Sequence, residues 1–151
     1  MNRRKFLSFA GSAIALSVIP VNLNAEDYRK AKPDVWTAHN LDDATQALYG
    51  IKEPILSDKI KITVPKINSS GASVPVKFET TLDAKTIALF QDANPESAVA
   101  VYDVNIYDLK KYEAKIKMEK DGMIMVLVEA TDGKIYMAKV ATKVAAGGCE
   151  G

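Results

Sequence analysis

Apolar and polar residues exchange places one for one from Lys59 onward, where Ile60, Ile62 and Val64 alternate with Lys59, Lys61 and Thr63. A period of two puts one set on a buried face and the other in solvent, which marks a half-buried strand. Pro65 ends the run, and Asn68-Ser69-Ser70-Gly71 is a turn cluster. Val74, Val76 and Phe78 resume the alternation, with Pro75 placing this strand at a sheet edge or near its own start. Residues 87–90 form a short apolar piece closed by Asp92-Ala93-Asn94-Pro95, and 98–107 is apolar on both sides, as a buried strand is. Three further β-rich runs, 113–120, 123–131 and 134–140, are separated by Asp121-Gly122 and Asp132-Gly133. Asp-Gly between such runs is a hairpin signal, so a three-strand antiparallel meander is predicted. About seven short strands with regular turns and little helix point to an all-β fold, an immunoglobulin-like antiparallel β-sandwich.

Before residue 59 the period changes. Leu41, Ala44, Ala47 and Leu48 share one face of a short helix, with Asn40 suited to its N-cap, Asp42 and Asp43 to its first turn and Gly50 to its C′ position. Residues 26–38 are polar and read as irregular, Pro33 discouraging a helix. The helix is expected to pack on the sandwich, with Trp36 and Tyr49 anchoring this segment. At the start, Arg3-Arg4-Lys5 precede an apolar run over 9–19 that Pro20 breaks, and Ala25 precedes Glu26-Asp27. Basic region, short apolar region and small residue describe a cleavable export signal, and the apolar run is too short to span a bilayer. Arg3-Arg4 followed by Phe6-Leu7 has the form of a twin-arginine signal, which exports folded proteins. Leu23, at the minus-three position, is larger than such sites prefer, and the mature chain is expected to begin near Glu26. The organisation expected is therefore a signal over 1–25, an N-terminal segment with a short helix over 26–58, the sandwich over 59–144, and a flexible arm over 145–151.

Composition narrows the function classes. Removing 1–25 takes away Arg3, Arg4 and Lys5, leaving 17 basic and 19 acidic residues, a net charge of −2 in place of +1. A nearly neutral chain gives no electrostatic case for nucleic acid or an anionic membrane as partner. One histidine and one cysteine cannot build a metal or haem site alone, so no metal and no cofactor is expected. Folded export then has another motive, such as leaving the cytoplasm bound to a partner without its own signal.

The candidate chemistry is sparse. His39 reads as a surface or capping histidine, since a Cys–His pair would need it to reach the C-terminal tail. Asp83, Asp92, Asp103, Asp108 and Glu129 read as solvated carboxylates, and Met118, Met123, Met125 and Met137 as core. No catalytic residue is assigned. Cys149 is different: it sits in Ala145-Ala146-Gly147-Gly148-Cys149-Glu150-Gly151, where the neighbours offer nothing to pack against. Extended from Thr142, the seven residues to Cys149 would carry its sulfur roughly 23–25 Å. Glu150 and the terminal carboxylate put negative charge beside the thiol and disfavour its ionisation, so activation would come from a partner. A lone exported cysteine suits intermolecular pairing or a reactive thiol. Three readings stay open on residues alone: a thiol handed from site to site, a structural or adhesive sandwich cross-linked through its tail, and a redox sensor.

The ending Gly-Gly-Cys-Glu-Gly resembles the Gly-Gly-Cys-Gly-Gly swinging arm of the SoxY family, the sulfur-carrying subunits of the thiosulfate-oxidising Sox system. Upstream, Ala47-Leu48-Tyr49-Gly50, Val64-Pro65-Lys66-Ile67, Gly71-Ala72-Ser73-Val74-Pro75-Val76, Asn94-Pro95 and Asp132-Gly133-Lys134-Ile135-Tyr136 look like landmarks of that family. The resemblance implies a periplasmic carrier rather than an enzyme, paired as a heterodimer with SoxZ, a second sandwich subunit without an export signal. It implies transient encounters with haem-containing, hydrolase and dehydrogenase Sox enzymes, and no nucleic acid or membrane after cleavage. Cys149 would be the covalent sulfur attachment point, holding S-thiosulfonate and persulfide-type intermediates, with Gly147, Gly148 and Gly151 as the arm. Glu150 departs from the family's glycine and is expected to modulate entry into partner channels.

Overall fold

The computed structural model describes residues 25–145. Residues 1–24 of the expected export signal and the arm residues Gly147, Gly148, Cys149, Glu150 and Gly151 lie outside the described residues.

Three short helices come first: α1 (Tyr28–Ala31), α2 (Pro33–Thr37) and α3 (Leu41–Tyr49). Nine strands follow: β1 (Ile55–Leu56), β2 (Ile60–Thr63), β3 (Ile67–Asn68), β4 (Val74–Thr80), β5 (Ala84–Gln91), β6 (Ala98–Asp103), β7 (Lys111–Ile116), β8 (Gly122–Ala130) and β9 (Ile135–Val144). They build two sheets, one with the order β1-β9-β8-β5-β6 and β3 also on β9, the other with the order β2-β4-β7. The immunoglobulin-like β-sandwich stands, with two short parallel pairings, β1 and β3 on β9, beside its antiparallel ladders.

Two cores explain the hydrophobic pattern. Ile60, Val74, Val76, Phe78, Ile87, Leu89, Ile124, Val126 and Val128 fill the space between the sheets. Ala88, Phe90, Met125 and Leu127, the intervening residues of β5 and β8, face the other way and pack under Val35, Ala44 and Leu48 of the helices. Both faces of β5 and β8 are therefore apolar, because the large sheet is covered on both sides. Met118 and Met125 are buried in these cores, Met123 and Met137 partly so.

The helix Leu41–Tyr49 forms as the sequence predicts: Asn40 Oδ1 accepts from the Asp43 amide at 2.8 Å, and Gly50 closes it at φ 74°. The segment before it is not irregular. Asp27 accepts from the Arg29 amide to start α1, and Pro33 stands at the first position of α2, where its missing N–H costs nothing. Trp36 donates to the Tyr28 carbonyl at 3.2 Å under the Arg29 guanidinium, and Tyr49 meets Thr86 Oγ1 at 2.8 Å, so both anchor the helices as expected.

Pro75 stands near the start of its strand, one of the two places expected for it, and β4 is the central strand of its sheet. Two strand expectations need correction. The apolar stretch 98–107 supplies an edge strand that stops at Asp103 and is only half buried. The three-strand meander does not form: β7 pairs with β4 in the small sheet, and only β8 and β9 make a hairpin. Asp132-Gly133 is a true turn, with Gly133 at φ 83°. Gly122 instead belongs to β8, where a β-carbon would come within 2.7 Å of Asp92 Oδ1 and 2.9 Å of Ala93 Cβ.

Candidate functional site at the root of the carboxyl-terminal arm

The approach to Cys149 is the last strand, so the site is built from what holds its end. β9 runs to Val144, further than an arm leaving at Thr142 would require. On one side β8 pairs with it as far as Gly122 opposite Thr142. On the other, β3 lies parallel, with Ile67 opposite Lys143 and Asn68 opposite Val144. The Lys143 amide donates to the Lys66 carbonyl at 3.0 Å and the Ala145 amide to the Asn68 carbonyl at 2.8 Å.

Side chains lock this pairing. Asn68 and Thr142 are both buried. The Asn68 amide nitrogen donates to Thr142 Oγ1 at 2.8 Å and to the Lys143 carbonyl at 3.1 Å, while the Thr142 hydroxyl donates to the Pro65 carbonyl at 2.6 Å. Asp121 Oδ1 accepts from the Val144 amide at 2.8 Å. Gly71 closes the strap over this end: its carbonyl accepts from the Met118 amide at 2.8 Å, and a β-carbon on it would stand 2.1 Å from the Met118 carbonyl oxygen. Buried polar groups in such a network lose more when a partner is removed than an exposed pair does.

The chain is thus hydrogen-bonded up to Ala145, and Cys149 lies four residues beyond it. Four residues span at most roughly 13–14 Å, shorter than the distance expected for an arm free from Thr142. The reach shrinks because β3 prolongs the pairing of β9.

Other candidates are placed as follows. His39 Nδ1 is 2.9 Å from the Pro95 carbonyl, on the β5–β6 connection, and its side chain is exposed to solvent. The carboxylates are more engaged than solvated surface groups. Asp92 accepts from the Met123 amide at 2.6 Å, Asp103 from Tyr28, Asp108 from Tyr112, and Glu129 from Thr86 at 3.2 Å. At the β8–β9 turn, hydrogen bonds from the Lys134 amide and then Tyr136 hold the Asp132 carboxyl below the usual carboxylate range. Among the described residues no group of three or more His, Cys, Asp or Glu side chains gathers closely enough to hold a metal ion. The clamp residues Asn68, Thr142 and Asp121 are named in the sequence only for other roles, Asn68 in a turn cluster, Asp121 in a hairpin signal and Thr142 as the origin of the arm. No local pattern joins the three, because they stand 21 to 74 positions apart and meet only through the pairing of β3 and β8 with β9.

A family model described as sulfur oxidation protein SoxY matches residues 45–149. This chain belongs to the SoxY family. Among solved structures it is similar to the sulfur carrier protein SoxY from Chlorobium limicola f thiosulfatophilum, with 36% identity and a TM-score of 0.63 over 72% of this chain and 95% of that one. The SoxY sandwich is also similar to a superoxide reductase (neelaredoxin) from Ignicoccus hospitalis, with 15% identity and a TM-score of 0.52 over 58% of this chain and 80% of that one. A putative superoxide reductase from Thermotoga maritima gives 15% identity and a TM-score of 0.50 over 62% and 89%. At such identity the reductases share the fold alone. None of the curated proteins matches the chain. Membership of the SoxY family makes this a sulfur-oxidation carrier protein.

Proposed function

We propose that this protein is a periplasmic carrier subunit of thiosulfate oxidation and that Cys149 is its covalent attachment point. The observation that carries the reading is the family match, which extends through the whole sandwich to Cys149 itself. The clamped root supports it: the chain is hydrogen-bonded as far as Ala145, four residues before Cys149, which ties the thiol to a fixed anchor within a limited radius. The organisation that goes with it is a twin-arginine signal over 1–25, removed on export, a body over 26–144, and an arm over 145–151 in which Gly147, Gly148 and Gly151 keep the approach narrow.

The chemistry balances on one sulfur atom. Cys149 Sγ and the outer sulfur of thiosulfate join in an S–S bond, releasing the thiol proton and two electrons to a haem-containing partner. Hydrolysis of the resulting S-thiosulfonate by a partner hydrolase adds one water, releases sulfate and two protons, and leaves a persulfide on Cys149. A dehydrogenase partner would oxidise that remaining sulfur. In this scheme the protein is the substrate of its partners and needs no cofactor of its own. A SoxZ-type subunit travels with it, which gives the folded export its motive.

Intact mass spectrometry on the protein incubated with thiosulfate and the partner enzymes tests the reading. A thiosulfonate-sized addition that is absent in Cys149→Ser is expected. A protein that shows only a reducible dimer mass would instead be cross-linked through its tail. One that gains oxygens with peroxide and ignores thiosulfate would be a redox sensor.

A further inference from the structure

The described chain begins against the edge strand of the large sheet. The Glu26 backbone nitrogen donates to Asp103 Oδ2 at 2.9 Å, and the Tyr28 hydroxyl donates to Asp103 Oδ1 at 2.6 Å. Asp103 ends β6 and Tyr28 begins α1, so one carboxylate holds the start of the helical segment with both of its oxygens. Asp103 nevertheless has no counter-ion: none of the four ion pairs among the described residues involves it. Burial and the hydrogen bond to Asp103 push the Tyr28 hydroxyl well above its ordinary range, so this donor stays neutral.

Processing supplies the missing charge. Hydrolysis of the Ala25–Glu26 peptide bond by a signal peptidase adds hydroxyl to the Ala25 carbonyl carbon and hydrogen to the Glu26 nitrogen. That nitrogen becomes a primary α-amine, which is largely protonated at neutral pH because its ordinary pKa is about 7.7–8.0. The atom that faces Asp103 as an amide would then face it as an ammonium. We propose that Asp103 is the receptor for the processed amino terminus, and that cleavage between Ala25 and Glu26 creates an ion pair fastening the helical cover to the large sheet. This rests on the export reading above.

The geometry selects one cleavage position. Cutting one residue earlier keeps the Glu26 nitrogen as an amide and moves the ammonium outward by one Cα step of about 3.8 Å. Cutting one residue later deletes the nitrogen that Asp103 binds. The hydrogen bond also exists in the uncut chain, so a precursor folded before export carries the receptor already formed. Other charges act on the same carboxylate: Glu26 and Tyr49 share its field, and Asp83, Lys85, Asp108 and Lys110 line the groove beside it.

Intact mass of the protein recovered from its native host comes first. A chain beginning at Glu26 is expected. A mass for residues 1–151 would overturn this inference together with the export reading, and a cut at any other bond would overturn this inference alone. Second, the α-amine is titrated by NMR in a chain beginning at Glu26 and in its Asp103→Asn variant. The carboxylate favours the ammonium, so the titration is expected above about 8, returning to the ordinary range of about 7.7–8.0 in the variant. Equal values in the two proteins would overturn the proposal. Third, a chain that starts at Ala25 keeps every side chain and should melt about 2–4 °C lower than one starting at Glu26. Identical melting would count against the ion pair even if Asp103→Asn failed to fold.

Discussion

A β-carbon on Gly71 would lie 2.1 Å from the Met118 carbonyl oxygen and 3.0 Å from Val144 Cγ1, and a backbone oxygen cannot swing aside as a side-chain tip can. We expect Gly71→Ala to lose about 1–3 kcal/mol in denaturant unfolding, the usual range for overpacking. A loss within experimental error would show that the strap closes the strand end less tightly than the contacts require. Glu150 tests the opposite kind of residue, one whose effect is on chemistry rather than on folding. A thiosulfonate held on Cys149, as proposed, would be anionic, and Glu150 would add a like charge beside it. Glu150→Gly should therefore load thiosulfate faster than wild type in single-turnover measurements, and the difference should shrink as salt is raised. Equal loading rates at low salt would remove Glu150 from the account. Residue chemistry of this local kind could be read from the sequence, because charge and bulk next to Cys149 are fixed by the neighbours. The roles of Asp92 and Asp103 could not. Their partners Met123 and Tyr28 stand 31 and 75 positions away, and no local pattern records such pairings.

The two Asp-Gly pairs show what a short element signal does and does not specify. At Asp132-Gly133 the glycine takes φ 83° and the Asp132 carboxylate accepts from the Lys134 amide at 2.9 Å, so the pair makes the turn its sequence announces. At Asp121-Gly122 the same letters serve tertiary contacts. Asp121 binds the end of β9, and Gly122 makes room for Asp92 and Ala93. The residues around each pair look alike, so only the destination of β7 in the other sheet distinguishes them. The helices repeat the lesson: α3 was evident because its caps and apolar face are local, while α1 and α2 gain stability by covering Ala88, Phe90, Met125 and Leu127. Leu48 is the largest fully buried α3 side chain in that cover and is 1% exposed. Truncating it in Leu48→Ala should cost about 2–5 kcal/mol by equilibrium unfolding. Loading of Cys149 by thiosulfate should be unaffected below the melting temperature, since the helical cover and the arm root contact different parts of the large sheet. A variant that folds normally but fails to load would tie the cover to the site.

Across the molecule, tyrosine hydroxyls stitch helices, sheets and loops together. Tyr28 donates to Asp103, Tyr112 to Asp108 at 2.5 Å and Tyr136 to Asp132 at 2.8 Å, while Tyr49 meets Thr86 under the helices. Tyr112 stacks on Phe78 and Tyr102 lies tilted against both, with ring centroids 4.6–6.1 Å apart. Burial pushes Tyr28, Tyr49, Tyr102 and Tyr112 above their ordinary value, and the hydrogen bond to Asp132 does so for Tyr136. Five of the six tyrosines therefore hold their protons more tightly in the folded chain than in the unfolded one. In the unfolded chain the same groups ionise near 10.0. Their contribution to stability is complete below that pH and is lost as pH rises from it toward the folded values, because the unfolded state then releases protons that the folded state keeps. The protein is thus expected to unfold cooperatively in alkali, with most phenolate absorbance appearing in the same step as the loss of the near-ultraviolet circular dichroism signal. Phenolate absorbance that ran to completion while that signal persisted would mean the hydroxyls ionise inside an intact sandwich, and the stitching would not be what holds it at high pH. Tyr112→Phe separates burial from hydrogen bonding within this pattern. It keeps the stacked ring and removes only the bond to Asp108, so it should shift the alkaline transition while leaving the packing signal at neutral pH unchanged.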